Sequence, residues 1–138
     1  MEIKWSQPGK DEITLNLRVS NESIAEVRYQ CSGSLDFLRF SKEQAHQLKG
    51  KISDLKAPDG KSPSAIIWRE IIAKIQGQWS FPLSHEELCH CRRVSAKAVD
   101  TSIVYGAHTL EEIRRRTSAN TGCGTCLPDL ETLLELRL

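Results

Sequence analysis

No stretch of this sequence approaches the ~18 consecutive apolar residues that a membrane-spanning helix needs, which argues against a helical membrane protein. The opening residues, Met1-Glu2-Ile3-Lys4-Trp5, lack the apolar core of a secretory signal, so a cytoplasmic location is expected. Neither sign of charge is in excess. Lys+Arg is 19 and Asp+Glu is 18, so the general electrostatic case for nucleic acid or a membrane surface is missing. There is no P-loop, no glycine-rich dinucleotide fingerprint, no internal repeat and no low-complexity segment. Nothing places a nucleophile beside His46, and no hydrolase or transferase arrangement stands out. The chain is therefore not expected to be an enzyme by itself. What remains is globular: 39% hydrophobic and 27% charged residues, in 138 residues that suffice for one ordinary domain or two small ones.

Cysteine is what the chain does have. Four of its five cysteines fall in the C-terminal half, as Cys89-His90-Cys91 and, after 31 intervening residues, Cys123-Gly124-Thr125-Cys126. In a reducing compartment, paired cysteines more often bind metal than form disulfides. Two close pairs far apart in sequence can converge on one ion or cluster, and Gly122 and Gly124 leave the backbone around Cys123 free to bend. Three readings of the residues compete: a 2Fe–2S cluster on four thiolates, a structural zinc ion on the same four, and thiol redox chemistry or disulfides. Zinc ribbons usually carry two C-x2-C knuckles on β-hairpins. Here one pair is C-x-C and the intervening segments read as helical, which disfavours a ribbon.

The first 80 residues read as α+β. Ile13, Leu15, Leu17 and Val19 alternate with polar residues, and Ala25, Val27, Tyr29 and Cys31 alternate again after the turn Asn21-Glu22-Ser23, which predicts a β-hairpin. Leu35, Leu38, Ala45 and Leu48 fit one face of a helix stopped by Gly50, with a strand over 35–40 as the competing reading. Ser62-Pro63 opens a helix in which Ile67, Ile71 and Ile75 form a stripe beside Trp68 and Ile72, expected to cover the sheet and to end at Gly77. Residues 78–83, with Pro82, are the boundary candidate. Beyond it the chain reads as helices only. Ser95 caps a helix carrying Ala98, Val99 and Ile103 and stopped by Gly106. Thr109 and Glu112 have capping-box spacing before Ile113. Pro128 opens a last helix with Leu130, Leu133 and Leu134 on one face. A helical unit of about 55 residues rarely holds together by burial alone, and a metal centre would supply the missing constraint.

The stretch Leu88-Cys89-His90-Cys91-Arg92-Arg93-Val94, the segment Thr109-Leu110-Glu111-Glu112-Ile113 and the loop Thr121-Gly122-Cys123-Gly124-Thr125-Cys126-Leu127-Pro128 together resemble the bacterioferritin-associated ferredoxin type of 2Fe–2S domain. The same module occurs in the middle of NifU-type proteins. The resemblance implies an all-helical, helix–turn–helix domain over residues 84–138, with Cys89, Cys91, Cys123 and Cys126 as the ligands of a 2Fe–2S cluster; zinc is the alternative occupant. Such a cluster on four thiolates is anionic. Arg92, Arg93 and the run Arg114-Arg115-Arg116 lie on segments that could approach it, dock a partner, or form a solvated helix face. His90 sits between two ligands but is not needed as one. His85 and His108 are expected to be exposed loop or cap residues.

Within residues 1–80, the stretch from about Glu12 to Lys51 is similar to the NifU/IscU type of iron–sulfur assembly scaffold, which implies such a domain over 1–80. The carriers are Val27-Arg28-Tyr29-Gln30-Cys31-Ser32-Gly33-Ser34 and, after a helix, Leu48-Lys49-Gly50-Lys51. Counting back from Gly50-Lys51, the scaffold's Gly-Cys falls on Gly33-Ser34, so serine stands where the resemblance implies an assembly cysteine. The other two assembly cysteines have no counterparts either. Cys31 reads as a small buried side chain on the inner face with Val27 and Tyr29. The resemblances imply a 2Fe–2S protein acting in electron transfer or cluster handling linked to iron–sulfur assembly or iron storage. The alternatives are a redox or iron sensor and a structural zinc-binding interaction module. The partner implied is a redox or iron–sulfur assembly protein, not nucleic acid or a membrane, and a homodimer is possible.

Overall fold

The computed structural model describes residues 1–83, 94–117 and 127–138, and the backbone alone of 87–89. It is an α+β chain in two compact units, Met1–Trp79 and Ser80–Leu138.

The first unit is an antiparallel sheet in the order β1-β2-β3-β4, formed by β1 (Glu2–Gln7), β2 (Asp11–Ser20), β3 (Ser23–Ser32) and the two-residue β4 (Gly50–Lys51). Its turns follow from their residues. Between β1 and β2, Pro8 precedes Gly9 at φ +78°, and the Lys10 N–H donates to the Gln7 carbonyl at 3.0 Å, a type II arrangement. Between β2 and β3, Asn21 and Glu22 both take positive φ, 52° and 62°, as a tight two-residue hairpin requires. The β2 alternation holds: Ile13, Leu15 and Leu17 are buried and the residues between them are not.

Two helices complete the unit. Helix α1 (Leu35–His46) packs against β3, and α2 (Pro63–Ile75) packs against β1 and α1. Ser34 and Ser62 cap them, each hydroxyl accepting a backbone N–H three residues on, from Phe37 and Ala65, at 3.2 Å. Helix α2 buries Ile67, Ile71 and Ile75 and also Ala65, Ile66, Trp68 and Ile72, a stripe broad enough to meet sheet and helix together. The indole Nε1 of Trp68, fully buried, donates to the hydroxyl of buried Ser41 at 3.0 Å.

Residues 35–40 are helix, the leading reading, and not the competing strand. Three expectations need correction here. The buried face of α1 is Phe37, Ser41 and Ala45, followed by Leu48; Leu35 is 61% exposed and Leu38 half-buried. The helix ends at His46 with Gln47 as its cap, while Gly50 (φ +82°) begins β4. Cys31, Val27 and Tyr29 do share one face with their cross-strand partners Ile13, Leu17 and Leu15, but none is buried: Tyr29 is exposed and the others half-buried, because β3 lies toward the margin of the sheet.

The second unit is not all-helical. A two-stranded antiparallel ribbon, β5 (Glu87–Cys89) and β6 (Val94–Ser95), precedes α3 (Ala96–Val104), α4 (Leu110–Thr117) and α5 (Leu127–Arg137). Ser95 caps α3 by accepting the Ala98 N–H at 3.0 Å, and the Thr109 hydroxyl accepts the Glu112 N–H at 3.1 Å at the start of α4. The core gathers Val94, Ala96, Val99, Ile103, Ala107, Ile113, Leu130 and Leu133, with Leu83, Leu110, Leu134 and Leu136 against it. One buried ion pair joins α5 to α3. The Arg137 guanidinium, 4% exposed, donates from Nε and Nη2 to the two carboxylate oxygens of Asp100, both at 2.7 Å. Among the described residues, no helix is long and apolar enough to cross a membrane.

Candidate metal centre

The cysteine pairs belong to two connections, and the elements bounding both rest on one helix. Cys89 ends β5 and pairs in register with Val94 of β6; the ribbon packs on α3. Cys91, with His90, Arg92 and Arg93, lies outside the described residues, as do His85 and the segment 118–126 that holds Cys123 and Cys126. That second segment runs in sequence from the end of α4 to the start of α5, and both of those helices also pack on α3. Helix α3 is therefore the common support of the segments that flank the four cysteines. Its buried side, Val99 and Ile103, anchors it to Ile113 of α4 and to Leu130 and Leu133 of α5.

The charged and titratable residues sort themselves around this support. Of the arginine run on α4, two members are committed locally. Arg115 and Arg116 both pair with the Glu112 carboxylate, and Arg116 also donates from Nη1 to the Tyr105 carbonyl at 2.9 Å, closing the end of α3. Those local pairs belong to a solvated helix face; Arg114 is exposed as well. His108 differs from expectation. It sits in the α3–α4 loop, half-buried, and its Nε2 is buried with no hydrogen-bond partner among the described residues. The nine residues of α3 stand between it and the β5–β6 ribbon, about 13 Å of helix rise. His46 is exposed in the last turn of α1.

In the first unit, the junction between β3 and α1 is built around a carboxylate. Asp11, 5% exposed, accepts the Ser34 N–H at 3.0 Å. Gly33 (φ +146°) lies so close that a Cβ there would overlap the Asp11 Oδ1. The Ser34 hydroxyl is occupied by the cap of α1. Cys31 is a free, half-buried cysteine, and burial pushes its thiol above the usual value. Among the described residues, no group of three or more His, Cys, Asp or Glu side chains could hold a metal ion.

The helical unit is where comparison with known families decides the chemistry. Residues 88–135 match the family of the BFD-like [2Fe-2S] binding domain. The cofactor is therefore a 2Fe–2S cluster. The donor set fits it: the matched span contains four cysteines, the number of thiolates that such a cluster takes. No curated protein and no solved structure matches the chain. The matched span covers β6, α3, α4, most of β5 and nearly all of α5, and it leaves the first unit outside.

Sequence reasoning passed over two features of this unit. The β5–β6 ribbon has too few residues to show a period. The Arg137–Asp100 pair spans 37 positions, and no local pattern signals it.

Proposed function

We propose that Cys89, Cys91, Cys123 and Cys126 hold the 2Fe–2S cluster, and that the chain carries single electrons or passes the cluster on in iron–sulfur assembly or iron storage. The observation that carries this reading is the BFD-like match at residues 88–135, within which these four are the cysteines present. A 2Fe–2S unit exchanges one electron at a time. The protein's part is to supply ligands, local charge and a docking surface rather than a substrate pocket. The chain then needs a redox or iron–sulfur assembly partner and is not an enzyme by itself, and its expected place is the cytoplasm.

The first unit is read as a NifU/IscU-like domain without an assembly site. Two observations support this. Serine stands at position 34, and its hydroxyl serves the cap of α1; a serine hydroxyl is also a poor ligand for a soft metal site.

The test is purification without oxygen from iron-replete cells. About two irons and two sulfides per chain, with the visible absorption of a 2Fe–2S centre, are expected. Changing any one of the four cysteines to serine should lower occupancy or shift the spectrum. Stoichiometric zinc without colour under those conditions would overturn the assignment. For the first unit, a transferable cluster formed on residues 1–79 by a sulfur donor and iron would contradict the loss of the assembly site.

A further inference from the structure

The sheet of the first unit has two edges, and they are treated differently. Leu17 of β2 exchanges both backbone bonds with Met1, at 2.8 and 3.0 Å. In an antiparallel ladder such residues alternate, so odd-numbered residues of β2 here bond toward β1 and even-numbered ones toward β3. The β3 partners of Asn16 and Thr14 are Arg28 and Gln30. Arg28 and Gln30 therefore bond inward, and Val27, Tyr29 and Cys31 turn their N–H and C=O groups outward. The same rule turns Lys4 outward on β1, where its carbonyl accepts the Lys74 ammonium at 3.1 Å. At Lys4, then, that edge has a side-chain partner. On β3, β4 pairs only with Ser23 and Ile24. No strand among the described residues pairs with the outer side of residues 26–32.

This open stretch holds no lysine and no proline; its charged side chains are Glu26 and Arg28, and the bulge, Ala25 of β3 opposite the step from Arg18 to Val19, lies just before it. Its inner-face side chains are Val27, Tyr29 and Cys31, with Tyr29 37% exposed. We propose that a second copy of the chain pairs here, β3 against β3, antiparallel about a two-fold axis at Tyr29.

The register is what argues for a second copy. Centred on Tyr29, Val27 lies opposite the partner's Cys31, and Tyr29 opposite the partner's Tyr29. All three outward-turned residues then exchange backbone bonds. On the solvent face, Arg28 meets the partner's Gln30 and Glu26 meets the partner's Ser32, so no like charges oppose each other. Centring on Arg28 would set two arginines face to face. Centring on Val27 would drive the partner's Gln30 onto Ile24, which β4 already occupies. Centring on Gln30 would run Val27 against the partner's Gly33, beyond the end of the strand.

The experiment is sedimentation of the full, cluster-loaded chain over a wide concentration range. A dimer of twice 15.6 kDa is expected. Tyr29→Pro removes an N–H that the monomer does not use, so it should sediment as a monomer with native circular dichroism. Gln30→Glu sets a carboxylate opposite the partner's Arg28 twice and should tighten the dimer roughly fivefold; Gln30→Arg should loosen it by a similar factor. Gln30 is exposed, so neither charge variant disturbs the core. A chain that stays monomeric throughout, whether or not another protein covers this edge, overturns the proposal. So does a dimer indifferent to both charge variants.

Discussion

Arg137→Met should be among the most damaging single changes in the second unit. Arg137 is 4% exposed and Asp100 14%, and two bonds of 2.7 Å join them. Breaking a buried pair by removing one partner typically costs about 3–5 kcal/mol, because the other charge stays buried without compensation. The residual exposure of Asp100 lets water reach the orphaned carboxylate, which puts Arg137→Met near the lower end, about 3 kcal/mol. Asp100→Asn removes the countercharge that holds the more deeply buried guanidinium with two bonds and should cost a similar amount. Replacing both, as Asp100→Leu with Arg137→Met, removes both desolvated charges. It should cost clearly less than the two single changes added together, by about 2 kcal/mol or more. Small domains have only about 5 kcal/mol in hand, so the single variants should sit near the edge of folding. The assay is equilibrium unfolding in denaturant of the cluster-loaded protein, read by helical circular dichroism. An Arg137→Met variant within about 0.5 kcal/mol of the native chain, or single effects that simply add, would refute the reasoning.

Two further outcomes follow from the first unit. Gly33→Ala puts a methyl where the Asp11 carboxylate now sits; losing the bond from the Ser34 N–H to that charged acceptor, with backbone strain, should cost roughly 2–4 kcal/mol. A Tm drop of at least about 10 °C is expected, and a drop under about 3 °C would count against the tight junction. Cys31 holds its proton more firmly when folded, because burial disfavours the thiolate. Its contribution is therefore full below the ordinary thiol value and is lost as pH rises through the raised one, so Tm should fall more steeply with alkalinity in the native chain than in Cys31→Ser. Mass mapping should show Cys31 alkylating more slowly in the folded protein than in denaturant; equal rates would remove the effect.

Legibility in the sequence tracked how local the governing physics is. Ser62-Pro63, Ser95 and Thr109 each announce a helix start, and each hydroxyl accepts its backbone N–H as that code implies. The β2–β3 hairpin shows in its alternation. Strand β1 is harder, since only Ile3 and Trp5 face inward beside β2, and its real signal is the Pro8-Gly9 turn that follows. The buried face of α1 misleads a purely apolar reading because Ser41 belongs to it, satisfied by Trp68 from another helix. No local pattern marks Asp11, yet it is buried and organises a junction 23 positions away. For the cysteines, residue type and spacing left cluster, zinc and thiol chemistry open, because four thiolates suit more than one occupant, and the family resemblance favoured the cluster.

That junction also bears on what the first unit can do. A nascent cluster needs side chains free to exchange soft ligands. At the β3–α1 turn, each obvious donor is engaged or unsuited. The Ser34 hydroxyl accepts from Phe37, and Asp11 accepts the Ser34 N–H. Asp36 accepts the Ser64 hydroxyl at 2.9 Å and so ties the start of α1 to the start of α2. Cys31 is biased toward the neutral thiol. Putting cysteine at position 34 alone would therefore not make a site. It would exchange a hydroxyl cap for a thiol, a weaker hydrogen-bond acceptor, and still leave three further ligands to be found. Ser34→Cys is accordingly expected to lose roughly 1 kcal/mol of stability and to bind no cluster on residues 1–79 in an iron and sulfide reconstitution. Stable cluster absorption on that variant would show that the turn can offer more ligands than its hydrogen bonds suggest.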